Sequence, residues 1–124
     1  MKQILLIGMN PYTLDLTLPG FPEGLTAEKV MEGIRSEQEK LNALEYKLEV
    51  YLPDLHNAKM EDLELLLQNK NYDGIIIGAG IRIPPSNFLL FEKYINTVHS
   101  FAPQARIMFN TRPDDNVAAV QRWL

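Results

Sequence analysis

Four short runs of apolar residues alternate along the chain with longer stretches in which apolar residues recur at helical spacing. The runs are ILLIGM (4–9), KLEVYL (47–52), GIIIGAG (74–80) and ARIMFN (105–110). The first and third are almost continuous in branched aliphatic side chains, which is typical of strands covered on both faces in a parallel sheet. The second and fourth alternate more between apolar and polar residues, as edge strands do.

The stretches between these runs predict helices over 27–46, 58–70 and 86–101, and a short final helix after RPDD. Their apolar residues recur every three or four positions, so each helix has one apolar face. The predicted faces carry Val30, Met31, Ile34, Leu41 and Leu44 in the first helix, Met60, Leu63, Leu66 and Leu67 in the second, Phe88, Phe91, Ile95 and Val98 in the third, and Val117, Val120, Trp123 and Leu124 in the last.

Residues able to cap helices stand at three of the expected helix starts. Thr26 precedes the first helix and Ser86 begins the third, and each side chain is expected to accept a backbone N–H. Asp114 or Asp115 is expected near the positive end of the last helix.

Strands and helices therefore alternate, which is typical of an α/β domain with a parallel sheet. Right-handed crossovers restrict the topology, and we expect one domain over 1–124 with four parallel strands in the order 2-1-3-4. With helices on both faces, this is a three-layer α/β/α sandwich of the flavodoxin-like type. A fifth strand is not expected, because the chain after the last loop accommodates only the final helix.

The composition adds exclusions rather than a function. The 124 residues include no cysteine, so disulfides, thiolate metal sites and cysteine nucleophiles are excluded. The formal net charge is −4 and no basic run is present, so we expect no nucleic-acid partner. The N-terminal apolar run is too short for a signal peptide or a membrane span, and we expect a cytoplasmic protein with no membrane partner.

Any binding site is expected at the carboxyl ends of the strands, where open parallel sheets bind their ligands. The loops at that end cover 9–25, 53–58, 79–86 and 110–115. Their candidate ligand-binding residues are Asn10, Asp15, Arg82, Asn110, Thr111 and Arg112.

The two arginines carry the main functional hypothesis. Arg82 follows the third strand and Arg112 follows the fourth, so both are expected at one end of the sheet, where they can share a carboxylate or phosphate. The sequence therefore predicts a non-catalytic binding or regulatory module with a small anionic ligand. The alternative is internal pairing with acids of the same loops. The candidate acids are Asp114 and Asp115 for Arg112, and Asp15 and Asp54 for Arg82.

The loop over 9–25 is unusually long for a connection in such a sheet. It contains three prolines, which stiffen it, and four large apolar residues that need a packing partner. These are Pro11, Pro19 and Pro22, and Leu14, Leu16, Leu18 and Phe21. A loop of this kind is a lid over a site, a plug at the end of the sheet or part of a subunit interface, and the sequence leaves these alternatives open.

No catalytic or cofactor motif is recognisable. The glycines of GAGIRI do not form G-x-G-x-x-G, no serine lies in G-x-S-x-G, and the two histidines are far apart in the sequence. We therefore expect no cofactor, no metal and no catalytic residue. The alternative function is a small hydrolase or transferase whose acid–base groups are Asp15, Asp54 or His56.

The string LDLTLPGFPEG (14–24) resembles the sequence around the phosphoacceptor aspartate of response-regulator receiver domains. In that family the aspartate ends the third strand, and an acidic pair follows the first. Here Asp15 follows the first strand, and GMNPY contains no acidic pair. We interpret this match as coincidental.

In the second half of the chain, GIIIGAGIRIPP and FNTRPDD resemble a group of small uncharacterised bacterial proteins with the same α/β layout. The resemblance implies the fold and a cytoplasmic bacterial setting, but no activity.

The fourth strand is expected to leave one edge of the sheet open, and such edges are usually covered or paired. We expect the last helix, with Trp123 and Leu124, to cover this edge or to contact a second copy in a homodimer.

Overall fold

A four-stranded parallel sheet lies at the centre of the protein, with the strands in the order β2-β1-β3-β4. The strands are β1 (Lys2–Ile7), β2 (Tyr46–Tyr51), β3 (Gly74–Ile77) and β4 (Arg106–Phe109). The computed structural model describes residues 1–54 and 56–124. Its strand order and parallel pairing confirm the sheet predicted from the sequence.

Helices cover both faces of this sheet. They are α1 (Ala27–Ala43), α2 (Met60–Asn69), the short α3 (Ala79–Arg82), α4 (Phe88–Phe101) and α5 (Asn116–Trp123). Helices α1 and α5 pack on one face and α2 and α4 on the other, which confirms the three-layer, flavodoxin-like arrangement. Among the described residues, no helix has the length and apolar character needed to cross a lipid bilayer.

The alternation of side chains along the strands divides the core into two halves. In β1, Leu5 and Ile7 face α2 and α4, whereas Ile4 and Leu6 face α1 and α5. All four are buried, as is every residue of β3. Burying one such side chain contributes about 1.5–3 kcal/mol, so the two continuous apolar runs occupy the centre of the sheet and the two alternating runs its edges.

The predicted apolar faces are correct near the middle of the helices and wrong at some of their ends. Met31, Leu44, Phe88 and Trp123 are all solvent-exposed. Leu44, Phe88 and Trp123 lie at an end of their helix, and Met31 lies within the first two turns of α1. Helical spacing identifies a face, but it does not show how far along the helix that face is covered.

The helix caps show which local predictions hold. Thr26 caps α1, because its hydroxyl oxygen accepts the backbone N–H of Lys29 at 3.2 Å. The prediction for Ser86 is wrong. Asn87 occupies the N-cap position of α4, and its side chain donates to the carbonyl of Gly80 at 3.2 Å instead of capping the helix.

A tertiary contact caps the start of α5. Asp115 lies at the N-cap position, but its carboxylate accepts hydrogen bonds from the preceding loop and none from the helix. Glu37 of α1, which is only 1% exposed, accepts the backbone N–H of Val117 at 3.1 Å. Because 80 positions separate these two residues, no local pattern in the sequence indicates this cap.

Side chains from the helices also cover both edges of the sheet. Gln38 of α1 donates to the carbonyl of Leu48 on β2 at 2.9 Å, and Arg122 of α5 donates to the carbonyl of Phe109 on β4 at 2.8 Å. Both carbonyls point away from the neighbouring strand, because alternate residues of β2 and β4 make the ladder bonds. Helix α5 thus covers part of the edge that the sequence predicted to be open.

Candidate functional site

A cavity of about 70 Å³ lies beyond the carboxyl ends of β1 and β3, under the loop over 9–25. The chain leaves β1 toward β2 on one side and later enters β3 on the other, so the cavity lies where the strand order reverses. Open parallel sheets bind ligands at this position. All of the cavity's lining residues are apolar or glycine except Asn110, Thr111 and Arg112, which follow β4.

The loop over 9–25 covers the cavity without filling it. Leu14 and Phe21 of this loop form part of the wall. Gly20 lies against Ile83: its φ is +99°, and a Cβ atom built on it would lie 2.1 Å from Cγ2 of Ile83. Only glycine allows this backbone conformation and this close approach together, so the loop is seated tightly on the segment that follows β3.

Asn10 organises the beginning of that loop. Its side chain accepts the backbone N–H of Tyr12 at 3.0 Å, and its own N–H donates to the carbonyl of Pro53 at 2.9 Å. The hydroxyl of Thr13 donates to the Asn10 carbonyl at 2.7 Å. These bonds hold a 3₁₀ turn that places Pro11 in the cavity wall, although Asn10 itself does not line the cavity.

The carboxylates predicted for acid–base chemistry lie outside the cavity wall. Asp15 is exposed and accepts hydrogen bonds from the hydroxyl and the backbone N–H of Thr17, which lower the pKa of its carboxyl group. Asp54 accepts the backbone N–H of His56 at 2.8 Å. Asp15, Asp54 and His56 are all absent from the residues that line the cavity.

Asn110 joins three segments at the bottom of the cavity. Its side-chain oxygen accepts the backbone N–H of Ala79 at 2.8 Å, and its side-chain nitrogen donates to Asn116 at 2.7 Å. Asn116 in turn donates to the carbonyl of Pro113 at 3.1 Å. Strand β3 ends at Ile77 and is therefore shorter than the predicted run over 74–80. The chain turns into α3 at Ala79, whose backbone N–H donates to Asn110 instead of to a neighbouring strand.

Asp115 holds the loop between β4 and α5. Its carboxylate accepts the backbone N–H groups of Thr111 and Arg112 at 3.0 and 3.2 Å, and the hydroxyl of Thr111 donates to it as well. The donors of Thr111 are therefore engaged within the loop. Arg112 is the cationic residue of this loop that lines the cavity.

Arg112 forms an exposed ion pair of the kind predicted by the internal-pairing alternative. Its Nε lies 3.1 Å from a carboxylate oxygen of Asp114, and the two side chains are 62% and 61% exposed. Exposed pairs of this kind contribute about 0–1 kcal/mol, because water and salt screen both charges. The guanidinium is thus held weakly and can exchange partners.

Arg82 lies in different surroundings. Its guanidinium carbon is 5.6 Å from the ring centroid of Phe109, and Nη2 donates to the carbonyl of Asn110. Its Nε is buried and has no hydrogen-bond partner among residues 1–54 and 56–124. The predicted pairing of Arg82 with Asp15 or Asp54 is wrong, because its partners are a carbonyl and an aromatic face.

The two arginines differ in their relation to the cavity. Arg112 lines the cavity, whereas Arg82 does not. Arg82 lies against Phe109, whose ring contacts Phe91 of α4 and belongs to the α2–α4 side of the core. Of the six residues predicted for ligand binding, the cavity brings together Asn110, Thr111 and Arg112.

Several wall residues are absent from the predicted site. Val30 and Ile34 belong to α1, Leu52 follows β2, and Ile83 follows α3. The first two lie on the predicted apolar face of their helix, so the sequence does indicate that they are covered. Nothing in the sequence shows that the loop over 9–25 reaches Ile83.

Comparisons with known proteins do not supply a function. No protein-family model matches the chain, and no curated protein matches it significantly. Within the part of the chain that the structure describes, no three His, Asp or Glu side chains are grouped so as to hold a metal ion. The basis for a functional proposal is therefore the chemistry of the cavity itself.

Proposed function

We propose that the protein is a non-catalytic binding module that holds a small anionic ligand in the cavity beneath the loop over 9–25. The observation that carries this proposal is the cavity, which is almost entirely apolar and has Arg112 among its lining residues. Small-molecule sites are typically apolar with a few placed polar groups that orient the ligand. The position at the switch point of the sheet supports the same function.

The charge at the cavity favours an anion. Arg112 is the cationic residue in the wall, and its present partner Asp114 lies in an exposed pair of small net value. A guanidinium binds carboxylate or phosphate oxygens through two parallel N–H groups. Water screens the exposed pair of Arg112 and Asp114. A ligand anion under the loop is less exposed to water, so its attraction to Arg112 is screened less and it can replace the carboxylate of Asp114.

A catalytic function has less support. Asp15, Asp54 and His56, the acid–base candidates, lie outside the cavity wall. The carboxylates of Asp15 and Asp54 are engaged in local turns. A general base must come within hydrogen-bond reach of the group it activates, and a ligand in this cavity is not in contact with these three side chains.

Thermal unfolding in the presence of small carboxylates and phosphates tests the proposal, with Arg112→Gln and Arg35→Gln as a matched pair. Arg35 is also an exposed, ion-paired arginine, 56% exposed, and it lies outside the cavity. A ligand at 100 times its dissociation constant stabilises a protein by about 2.7 kcal/mol. We expect that stabilisation in the unmodified protein and in Arg35→Gln, and its loss in Arg112→Gln.

We expect Asp114→Asn to change the ligand-induced stabilisation in the opposite direction from Arg112→Gln. Removing the competing carboxylate frees Arg112, so we expect the ligand to bind more tightly and the melting temperature to rise further. If Arg112→Gln keeps the full ligand-induced shift, or if no small anion shifts the melting temperature, the proposal is wrong.

The expected homodimer and the expected cytoplasmic location stay predictions. Trp123, at the end of α5, is 56% exposed, and Leu89 of α4 is 69% exposed, so both helices present apolar surface. Light scattering over a range of protein concentrations measures the assembly state. A mass of one chain at the highest concentration would contradict the dimer.

The expected absence of a nucleic-acid partner is tested separately. Retention of the protein by a polyanion such as heparin would contradict it.

A further inference from the structure

The size of the cavity restricts its ligand strongly. Its volume is about 70 Å³ with the loop over 9–25 in place. An apolar cavity of about 150 Å³ in another protein accommodates benzene, which has six carbon atoms. On that scale the present cavity accommodates about three carbon atoms, so most of a larger ligand has to remain outside or displace the loop.

The charges of the β4–α5 loop restrict the ligand's head group. The backbone N–H groups of Thr111 and Arg112 already donate to Asp115. The guanidinium of Arg112 is therefore the group of this loop that can bind an anion. The carboxylates of Asp114 and Asp115 are on the same loop and repel a second negative charge. A head group with one negative charge is repelled less by these two carboxylates than a phosphate dianion is.

We propose that the ligand is a short-chain aliphatic carboxylate, with its carboxylate on Arg112 and about three carbon atoms under the loop over 9–25. This inference rests on the binding function proposed above and adds the chemical class and the length limit. Carboxylates of this size combine the two properties that the cavity requires, one charge at the rim and a small apolar body inside.

Gly80 offers a way to shorten the cavity without disturbing the fold. It lies in α3 and in the cavity wall, and its backbone is outside the left-handed region. A Cβ atom built on it would contact Cδ1 of Leu14 at 3.5 Å, an ordinary van der Waals distance. Gly80→Ala therefore adds one methyl group to the wall without strain, and alanine is favoured over glycine in a helix.

The test is a titration with sodium carboxylates from acetate to octanoate at constant ionic strength, followed by the backbone amide NMR signals of Gly80 and Thr111. Each methylene that enters the cavity is expected to strengthen binding about fourfold, equivalent to about 0.8 kcal/mol. The increase should continue through butyrate and stop by hexanoate. In Gly80→Ala it should stop about one carbon earlier.

Two further probes separate this inference from the function on which it rests. Butyramide has the same length as butyrate without the charge, and inorganic phosphate has charge without an apolar body. We expect both to bind at least tenfold more weakly than butyrate.

Affinity that keeps rising to octanoate, equal binding of butyramide, or an unchanged length limit in Gly80→Ala overturns the inference. If phosphate or a longer anion binds in an Arg112-dependent manner, the binding function stands and only the ligand class fails. If no probe binds, both fail.

Discussion

Arg82 and Arg112 follow neighbouring strands of one sheet, yet their surroundings give them different roles. Arg82 lies against the ring of Phe109 and donates to a backbone carbonyl. Arg112 is mostly exposed and pairs with Asp114 on the surface. The first therefore contributes to the packing of the molecule, whereas the second is held only by an exposed ion pair.

The physical basis of this difference is hydration. A guanidinium that is partly removed from water needs protein partners in its place, and its removal leaves those partners unsatisfied. A guanidinium that stays in water exchanges one weak partner for another at little cost. The type of residue is the same in the two cases, so the difference comes from the groups that surround each guanidinium.

The largest effect is expected at Asn110, whose carbonyl accepts from Arg82 and whose side chain supports the cavity. Asn110→Ala leaves the buried N–H of Ala79 and the side-chain oxygen of Asn116 without the partner that Asn110 provides. An unsatisfied buried group costs about 1–3 kcal/mol, so we expect a loss of about 2–4 kcal/mol in the free energy of unfolding measured in urea. The exposed Asn96 provides the control, and Asn96→Ala should change stability by less than about 0.5 kcal/mol. Equal effects at both sites would contradict the structural role of Asn110.

Removing each arginine in turn tests the comparison directly. We expect Arg82→Met to lower the free energy of unfolding by about 1–3 kcal/mol, because it removes a charged hydrogen bond and a cation–π contact. Arg112→Met should change it by less than about 0.5 kcal/mol. Denaturant unfolding of both variants measures the difference, and the comparison breaks down if Arg112→Met is the more damaging change.

Glu49 extends the comparison to a carboxylate. The buried hydroxyl of Tyr72 donates to Glu49, and Lys70 pairs with it at 3.2 Å from a more exposed position. The hydrogen bond from Tyr72 is the larger cause of the lowered pKa of Glu49, followed by the contacts of Lys70. Tyr72→Phe and Lys70→Gln should therefore each raise the pKa of Glu49, which a carboxyl NMR titration measures.

The sign of the pH effect follows from that lowered pKa. Glu49 is more acidic in the folded than in the unfolded chain, so its contribution to stability is present above the ordinary glutamate pKa and is lost as the pH falls through the folded value. We expect the unmodified protein to lose stability in acid more steeply than Tyr72→Phe. Parallel acid-unfolding curves for the two proteins would argue against this role of Tyr72.

The smallest effect is expected from Asp114→Asn. This change removes an ion pair between two mostly exposed side chains, so the free energy of unfolding should shift by less than about 0.5 kcal/mol. High salt should have an equally small effect on the unmodified protein through this pair. A loss above 1 kcal/mol would show that Arg112 is held as firmly as Arg82 and would remove the basis for its exchange with a ligand.

The sequence by itself determined the layers and the order of the sheet. Continuous apolar runs such as GIII must be covered on both sides, and the alternation of strands and helices with right-handed crossovers leaves few arrangements. It also located the cap at Thr26, because a capping residue and the N–H it accepts are only three positions apart. These features depend on the periodicity and order of residues along the chain, which the sequence contains.

Only the tertiary structure decided the partners of side chains that meet across long separations. The cap of Glu37 on α5, the contact of Gly20 with Ile83 and the contact of Arg82 with Phe109 all join segments that are distant in the chain. The end of a strand fixes the position of a residue's backbone, but it does not fix the direction in which a long, flexible side chain extends. That direction depends on the packing of the surrounding groups and on their access to water, and these exist only once the chain has folded.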